Sequence, residues 1–336
     1  MQRAATIEDV ARQAGVSRQT VSNVLNSPEV VRDGTRERVR AAISALGYAP
    51  HASARRLRTQ RSSTIGVHLD PYAGGISGVV LDRFVHALAE HASDRGMRVL
   101  LYAARSPEEE IARMGELVDG GDVDAVLITG TFHGDPRTGW LTQRGLPFVS
   151  FGRPWGLDDI DDPQHLWVDV DGAAGTRAAT DHLRAASGER VAFLGWPAGS
   201  GTGDDRERGW REAMGEAAGT DAAPRLVAVE NVAAARQVVE RVLVDRAIDA
   251  IVCASDSLAI GAHLAAVAGG RADLPIIGFD NTPAAEALGL SSVEQLPERV
   301  AAGAMDLLMG EGLSIAPRST TPGHAHVLVE PLLVVR

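Results

Sequence analysis

The sequence of 336 residues contains no lysine and a single cysteine, so all 33 of its basic residues are arginines. One cysteine, Cys253, cannot form an internal disulfide or a cysteine zinc cluster, and this usage is typical of the reducing cytoplasm. No segment approaches the roughly 18 consecutive apolar residues that a membrane helix needs. The first residues also lack the apolar core and the small-residue cleavage site of a signal peptide. We therefore expect a cytoplasmic protein without a membrane partner.

Several motifs of enzymes are absent as well. A phosphate-binding loop needs a lysine that the chain does not have, and the glycines at 199–203 are spaced wrongly for a dinucleotide-binding loop. The ten histidines show no zinc-protease spacing, and no Gly-x-Ser-x-Gly elbow is present. We therefore expect no catalytic residue, no cofactor and no metal site. What the chain does have is length for about two to three domains and 45% hydrophobic residues for packed cores.

The net charge of −11 argues against a general nucleic-acid binder, but the charge is unevenly distributed. Residues 1–61, which we call the head, carry eleven arginines and five acidic residues, a net charge of +6. The other 275 residues carry 22 arginines and 39 acidic residues, a net charge of −17. A basic head on an acidic body indicates a small nucleic-acid-binding module joined to a part with a different task. Charge alone leaves chance clustering open.

Two short helices with a tight turn between them are predicted at the start of the head. Thr6 is a suitable N-cap and Asp9 stands where a capping carboxylate belongs, and Gly15 ends the first helix. Ser17 then caps a second helix over Arg18–Leu25. This arrangement is typical of a helix-turn-helix, whose second helix presents its first side chains to the major groove.

A third helix, from about Thr35 to Leu46, is predicted to complete the core of the head, with Gly47 ending it. Arginine pairs with guanine, and glutamine or asparagine pairs with adenine. The second helix presents Arg18, Gln19, Ser22 and Asn23 at its start, and three of these four side chains are of the types that read base edges.

The head resembles the lactose-repressor/galactose-repressor (LacI) family over nearly fifty consecutive residues. The resemblance is carried by Thr6-Ile7-Glu8-Asp9-Val10-Ala11, Ala14-Gly15-Val16-Ser17, Thr20-Val21-Ser22, Leu25-Asn26, Thr35-Arg36-Glu37-Arg38-Val39 and Leu46-Gly47-Tyr48-Ala49-Pro50. It implies a DNA-binding domain at 1–49, a hinge at 50–61 and an effector-binding and dimerisation domain at 62–336. It also implies that Arg18, Gln19 and Asn23 read bases. The residues implied to contact phosphates or to fix the helices are Thr6, Ser17, Thr20, Ser22 and Asn26.

The resemblance also assigns the alanine- and arginine-rich segment 50–61 as a hinge. Its composition alone fits a basic linker equally well. The segment from Pro50 to Arg58 would be a hinge helix that orders when two subunits sit on an operator. Leu57 would be a wedge in the minor groove, with Ala54 and Arg58 beside it, unless Leu57 instead covers the hinge against the body. Two departures from the family are His51, where asparagine is usual, and Asn23, where many relatives have arginine. They predict altered hinge ordering and a different half-site.

After residue 62, β-rich runs alternate with helical patterns, which predicts parallel sheets flanked by helices. The predicted strands are Thr64–Leu69, Arg98–Tyr102, Ala125–Thr129, Pro147–Phe151, Val191–Leu194, Leu226–Val229, Ala250–Ala254, Ile276–Phe279 and Val327–Val335. The predicted helices are Val79–Arg95, Glu108–Val118, Ala173–Ala186, Arg206–Ala218, Ala233–Arg246, Ser257–Val267 and Glu298–Met309. The segment Gly156–Gln164 is predicted to separate two doubly wound lobes, the N-lobe at about 62–160 and 296–317 and the C-lobe at about 161–295 and 318–336. The fold class is therefore α/β, a helix-turn-helix domain followed by a body that resembles the type I periplasmic-binding-protein fold.

Two doubly wound lobes form a ligand cleft at the carboxyl ends of their strands. Arginine offers five fixed donors to vicinal hydroxyls, and an indole face suits a sugar ring. Eight residues are predicted to bind the effector, either because they follow a strand or because they match the family. They are Asp70, Arg153, Trp155, Trp196, Arg206, Asp256, Asp280 and Gln295. Helix capping is the alternative for the acids, above all for Asp256. Core packing is the alternative for Trp155 and Trp196.

The sequence thus predicts a cytoplasmic transcriptional regulator. We expect a repressor that binds a palindromic operator as a homodimer and is released when a sugar or short oligosaccharide binds between the lobes. One alternative is a regulator of the same fold that responds to a nucleobase or nucleoside, as a corepressor type. A more distant alternative is a solute-binding protein, which the missing signal peptide and the helix-turn-helix disfavour.

Overall fold

The computed structural model describes residues 5–48, 61–69, 78–155, 165–245, 248–310 and 326–336. The chain divides into two compact units, Met1–Ser62 and Ser63–Arg336. Several predictions fall outside the described residues: those for the hinge residues His51, Ala54, Leu57 and Arg58, for Asp70 and for the segment Gly156–Gln164.

The first unit contains three α-helices in its described residues: α1 (Ile7–Ala14), α2 (Arg18–Asn26) and α3 (Asp33–Leu46). Thr6 and Asp9 form the predicted capping box, and Gly15 ends α1 in the left-handed conformation at φ 66°. Val10, Val21 and Val39, one from each helix, are fully buried in the core between them. The predicted helix-turn-helix is confirmed, and α3 begins two residues earlier than the sequence suggested.

The described strands of the second unit form two six-stranded sheets. The first sheet holds β1 (Thr64–Leu69), β2 (Arg98–Ala103), β3 (Ala125–Thr129), β4 (Phe148–Phe151), β5 (Leu166–Val170) and β11 (His326–Val329), in the order β11-β5-β4-β3-β1-β2. The second holds β6 (Val191–Gly195), β7 (Arg225–Val227), β8 (Ala250–Cys253), β9 (Ile276–Phe279), β10 (Ser291–Glu294) and β12 (Leu332–Val334), in the order β12-β10-β9-β8-β6-β7. The described pairs are parallel except for β10 with β12.

Helices cover both sheets and complete the two lobes. The helices are α4 (Gly78–Asp94), α5 (Pro107–Asp119), α6 (Pro136–Arg144), α7 (Gly172–Ser187), α8 (Gly201–Met214), α9 (Val232–Asp245), α10 (Asp256–Ala268), α11 (Pro283–Ala287) and α12 (Pro297–Met309). In the first lobe α12 packs on α4, and in the second α7 packs on α8 and α9 on α10. In the described ranges, none of these helices has the length and apolar character needed to span a bilayer.

Two predicted lobe boundaries are wrong. The segment 166–170, assigned to the second lobe, is strand β5 and pairs with β4 of the first sheet, so the chain changes lobe after Val170. The run Val327–Val335, predicted as one strand, is two: β11 pairs with β5, and β12 pairs with β10 of the other sheet. The physical reason is Pro331, which has no N–H to donate and interrupts the run between the two strands.

The described residues therefore show three crossings between the lobes. The chain crosses from β5 to α7, returns from β10 to α12, and crosses again between β11 and β12. All three crossings start from strands at the same edge of a sheet, because β11 and β5 are neighbours in one sheet and β12 and β10 in the other.

Other differences concern short or irregular elements. α8 begins at Gly201 rather than at Arg206, because Ser200 caps it by accepting from the Gly203 amide. It ends at Met214, before a 3₁₀ turn at Gly215–Ala217, not at Ala218. Strands β5 and β10 and helices α6 and α11 were not predicted. In the core, Trp210 is fully buried and its indole donates to the Val191 carbonyl at 3.0 Å, so it has a packing role.

Candidate nucleic-acid interface and ligand cleft

The start of α2 is fixed by its own side chains. The Ser17 hydroxyl accepts from the Thr20 amide at 3.1 Å and lies 2.9 Å from the Thr20 hydroxyl. At the other end, the Asn26 amide donates to the Ser22 carbonyl at 2.6 Å. Thr6 caps α1 in the same manner, since its hydroxyl accepts from the Asp9 backbone amide at 3.3 Å. These residues therefore stabilise the helix-turn-helix, a role that does not depend on the predicted phosphate contacts.

The exposed face of α2 carries the residues predicted to read bases. Arg18 and Gln19 are exposed and Asn23 is half-buried. Gln19 donates from Nε2 to Oδ1 of Asn23 at 2.9 Å, one helical turn further on. This hydrogen bond joins the Gln19 and Asn23 amides on the face that a recognition helix turns to DNA.

In the second unit a cavity of about 220 Å³ opens at the carboxyl ends of both sheets. Its walls include four of the predicted effector residues, Arg153, Trp155, Arg206 and Gln295. They also include residues that the sequence did not predict as site residues: Thr129, Thr131, Phe151, Asp169, Thr202 and Asp205. The cavity does not include Trp196, Asp256 or Asp280 among its lining residues.

Arg153 links the two lobes across this cavity. Its Nε donates to Asp169 Oδ2 at 2.8 Å within the first lobe, and its Nη2 donates to Asp205 Oδ2 at 2.6 Å on α8 of the second lobe. The loop before Arg153 is held by Thr131, whose hydroxyl donates to the Arg153 carbonyl. Gly152 has a φ of 122°, and a Cβ there would lie 2.2 Å from the Thr131 hydroxyl, so only glycine fits.

The two carboxylates that hold Arg153 also accept hydrogen bonds from other donors. Asp205 also accepts from the Ala173 amide at 3.1 Å and from Arg208 Nη2 at 2.6 Å. Asp169 accepts from the Val170 amide at 2.8 Å. Burial raises the pKa of Asp169, and the charge of Arg153 opposes that rise. An acidic residue in a buried strand would have marked Asp169 as a candidate site residue. The sequence did not predict strand β5, so this signal was missed.

Trp155 lies against the other lobe. The Gly201 Cα at the start of α8 faces the indole so closely that a Cβ there would lie 2.1 Å from the ring. The Arg153 guanidinium lies over the same ring, 4.6 Å from its centroid. Trp155 thus contacts protein groups from both lobes. The polar group of its side chain is the indole N–H.

Arg206 is almost entirely buried, with 4% of its surface exposed. Its guanidinium packs 3.7 Å from the Phe279 ring centroid, donates from Nη1 to the Ala254 carbonyl at 2.5 Å, and lies 3.7 Å from Asp280 Oδ1. Burial lowers the pKa of Arg206, while Asp280 raises it. Arg206 is therefore a fixed donor group in the wall of the cavity.

Asp280 supports Arg206 from behind the cavity wall. Its Oδ1 accepts from Gln295 Nε2 at 2.5 Å, and burial raises its pKa to about 7 against the opposing charge of Arg206. Its φ of 111° is rare for a residue with a side chain, and the next residue, Asn281, has a φ of 48°. Such strained backbone persists where the surrounding structure determines it, which is common at functional sites.

Two predicted effector residues lie elsewhere. Asp256 is fully buried, and its carboxylate accepts from the amide and hydroxyl of Thr282 and from the Ser292 hydroxyl. It does not cap α10 either, because Ser255 does so. Trp196 donates to Glu230 at 2.6 Å, and its ring centroid is 5.4 Å from the Arg206 guanidinium carbon. Both stabilise the second lobe near the cleft without lining the cavity.

The cavity presents unused hydrogen-bonding groups. Within the described ranges, three lining side chains have a buried polar atom with no hydrogen-bond partner: the Thr129 hydroxyl, the Trp155 indole N–H and Arg206 Nε. Buried polar groups are nearly always hydrogen-bonded, so unpaired ones around a cavity indicate a missing partner. Two of the three only donate, and the third donates or accepts. Oxygen acceptors are therefore the chemical groups that would pair with all three atoms.

Comparison with known proteins covers nearly the whole chain. A family model described as bacterial regulatory proteins, lacI family, matches residues 6–51, and a periplasmic binding protein-like domain matches residues 180–336. The HTH-type transcriptional regulator CelR of Thermobifida fusca is 34% identical over 301 residues, covering 84% of this chain and 83% of its own. RafR of Escherichia coli, also an HTH-type transcriptional regulator, is 30% identical over 287 residues, covering 83% and 82%.

Solved structures agree with this fold. A regulatory protein of the LacI family from Chloroflexus aggregans has a TM-score of 0.72 at 30% identity, covering 82% of this chain and 98% of its own. The transcriptional regulator CelR in complex with cellobiose has a TM-score of 0.65 at 28% identity, and the match covers 99% of both chains.

Proposed function

The chain belongs to the LacI family of bacterial regulatory proteins, and on that premise we propose that it is a transcriptional repressor released from its operator by a sugar or short oligosaccharide. It acts in the cytoplasm as a homodimer on a palindromic site, as a sensor and not as an enzyme. Residues 1–49 bind DNA, residues 50–61 form the hinge, and the rest of the chain binds the effector. Thr6, Ser17, Arg18, Gln19, Thr20, Ser22, Asn23 and Asn26 form the DNA-contacting set, with Ala54, Leu57 and Arg58 from the hinge.

The observation that carries the ligand class is the set of unpaired buried groups around the cavity, at Thr129, Trp155 and Arg206. Hydroxyl and ring oxygens of a sugar supply the acceptors that these groups lack. A relative with 28% identity over 99% of both chains has been solved in complex with cellobiose. Both facts favour a saccharide.

The bridge between Arg153 and Asp205 suggests how binding is transmitted. Because this pair joins the lobes at the cavity, a ligand that changes the lobe geometry changes or replaces it. Linkage sets the size of the response: operator affinity changes by the ratio of the ligand's affinities for the two lobe arrangements, and no more.

A nucleobase effector remains the alternative candidate, because a buried arginine and tryptophan together suit a base. The contacts of Trp155 disfavour it, since the indole already lies against Gly201 and beneath the Arg153 guanidinium. A base would have to displace one of these partners in order to stack.

The experiment starts from DNA, since the operator is unknown. Purified protein selects sequences from a random duplex pool, and the recovered site is then used in fluorescence-anisotropy titrations with saccharides, purines and nucleosides. We expect a palindromic site and release by at least one saccharide. Failure to recover any preferred sequence contradicts the regulator proposal, and a response to purines alone contradicts the sugar proposal.

Arg206→Gln tests the cavity in the same assay. We expect loss of the sugar response, because the variant lacks the buried donors of Arg206, and unchanged operator affinity without ligand. Arg211→Gln on the same helix is the matched control, since Arg211 is half-exposed and pairs with Glu207. A normal sugar response in Arg206→Gln would contradict the assignment of this cavity.

A further inference from the structure

We propose that the cleft is built for an uncharged ligand and discriminates against phosphorylated or carboxylated sugars. The inference rests on the proposed function and narrows its ligand class. It follows from the charges that surround the cavity, not from its donors alone, because a phosphate also presents oxygen acceptors.

The first arginine of the cavity is fully matched by acids. Arg153 lies between Asp169 and Asp205 at 2.8 and 2.6 Å, and the three side chains are 12%, 9% and 3% exposed. A charge-assisted contact to each of two carboxylates leaves this guanidinium with no excess positive charge to offer an anion. It still offers Nη1, for which the described residues supply no partner, as a hydrogen-bond donor.

The second arginine is matched once Asp280 is ionised, which requires a pH above about 7. Arg206 lies 3.7 Å from Asp280 Oδ1, and both side chains are about 5% exposed or less. Glu230 and Asp205 add further negative potential at Arg206. Among the described residues, the two arginines that line the cavity therefore face three buried acids, Asp169, Asp205 and Asp280, of which Asp205 also pairs with the exposed Arg208.

The N-terminus of α8 does not restore a positive potential. Helix N-termini favour anions, and the first turn of α8 reaches the cavity through Thr202. That turn, however, also carries Asp204, followed at once by Asp205, and the Trp155 ring covers Gly201 at its start. Of these two acids, Asp205 lines the cavity, so a carboxylate already stands where the helix end meets the ligand space.

A phosphate that enters this site loses its hydration water and gains no unpaired positive charge in return. A buried anion is tolerated when it is paired with a cation, and it is strongly disfavoured when the cations nearby are already neutralised. Hydroxyl groups carry no such penalty, and the unpaired groups at Thr129, Trp155 and Arg206 suit them. The same wall thus accepts a neutral polyol and rejects its phosphorylated derivative.

Isothermal titration calorimetry with matched probes tests this selectivity. The probes are glucose, cellobiose, maltose and trehalose, each beside its own 6-phosphate, together with the purines adenine and guanine. They are titrated into the full-length protein at pH 8, where Asp280 is ionised. For every sugar that binds, we expect the neutral form to bind about 100-fold tighter than its phosphate or more. A phosphate that binds as tightly as its neutral partner overturns the inference and leaves the sugar-responsive regulator intact. Binding of purines with no binding of any neutral sugar overturns the proposed function itself.

Two neighbouring substitutions identify the residue responsible. Asp205→Asn removes one of the two carboxylates beside Arg153 and should narrow the discrimination between neutral and phosphorylated sugars by about tenfold, because the negative potential at the cavity falls by one charge. Asp204→Asn makes the same charge change one residue away, on a side chain that is 46% exposed and outside the cavity, and should leave the discrimination unchanged. Asp169→Asn removes the other carboxylate that pairs with Arg153 and so repeats the test at a second residue. Equal discrimination in all three variants and the parent would contradict the charge-matching argument.

Discussion

Asp280 shows how one residue combines backbone strain with an unusual acidity. It sits at φ 111°, is buried behind Arg206, and has a pKa raised to about 7. An unfolded chain releases the same proton near pH 3.8. The folded protein therefore binds a proton at this carboxyl over a range of pH in which the unfolded chain does not.

The sign of the resulting pH dependence follows from linkage. This contribution to the free energy of unfolding is fully present below pH 3.8 and is lost as the pH rises through about 7, by up to roughly 1.4 kcal/mol per pH unit. Asp280→Asn has no such titration, and asparagine tolerates positive φ. Urea denaturation at pH 5, 6, 7 and 8 should show the parent losing stability relative to Asp280→Asn as the pH rises. Parallel pH profiles would contradict the raised pKa.

At the scale of elements, the contact between α7 and α8 depends on the absence of a side chain. A Cβ at Gly209 of α8 would lie 2.0 Å from the Ala173 carbonyl oxygen on α7. A backbone oxygen in a helix cannot move aside, so the helices would have to separate. Because α8 carries Asp205 and Arg206, any such separation also disturbs the cavity.

Gly209→Ala should therefore destabilise the protein by about 1–3 kcal/mol, the usual range for overpacking. Gly139→Ala in α6 is the matched control, since a Cβ there meets nothing within 4 Å. The control should stabilise slightly, by about 0.4–1 kcal/mol, because alanine restricts the unfolded chain. Urea unfolding curves measure both, and equal stability of the two variants would contradict the close approach of the helices.

Elements defined by local chemistry could be predicted from the sequence. Helix ends in the first unit are determined by residues that lie close to them in the sequence. These residues are Thr6 with Asp9, Gly15, Ser17 and Gly47. In the body, β1, β3 and β9 have the predicted ends. The errors arose where tertiary pairing decides: β5 is a strand because β4 and β11 pair with it, and its short sequence gave no turn signal on its own.

The candidate site follows the same division. Four predicted residues line the cavity. Arg153 and Trp155 were predicted because they follow a strand, Arg206 by resemblance to the family, and Gln295 from a predicted crossing between the lobes. Asp169 and Asp205 were missed because their role is to pair with Arg153 across 16 and 52 residues of chain, a relation that no local pattern records. Asp256 follows a strand as Asp280 does, and only its hydrogen bonds to Thr282 and Ser292 show that it is structural.

At the scale of the whole molecule, the absence of lysine makes a prediction about DNA affinity. The positive charge of the head comes entirely from arginine side chains and the terminal amine, and arginine stays protonated well above pH 10. Treatment with an amine-acetylating reagent should leave operator affinity within about twofold, whereas added salt should weaken it steeply. Fluorescence anisotropy measures both effects. A large loss after acetylation would assign the terminal amine, not the arginines, to DNA.

The three crossings at one edge of the body limit how its lobes move. The paths from β5 to α7, from β10 to α12 and from β11 to β12 leave from neighbouring strands. Three adjacent connections oppose twisting and sliding of the lobes more strongly than a single connection would. Rotation about the shared edge is the movement that they oppose least. We therefore expect ligands of different size to change the angle between the lobes rather than the direction in which they move.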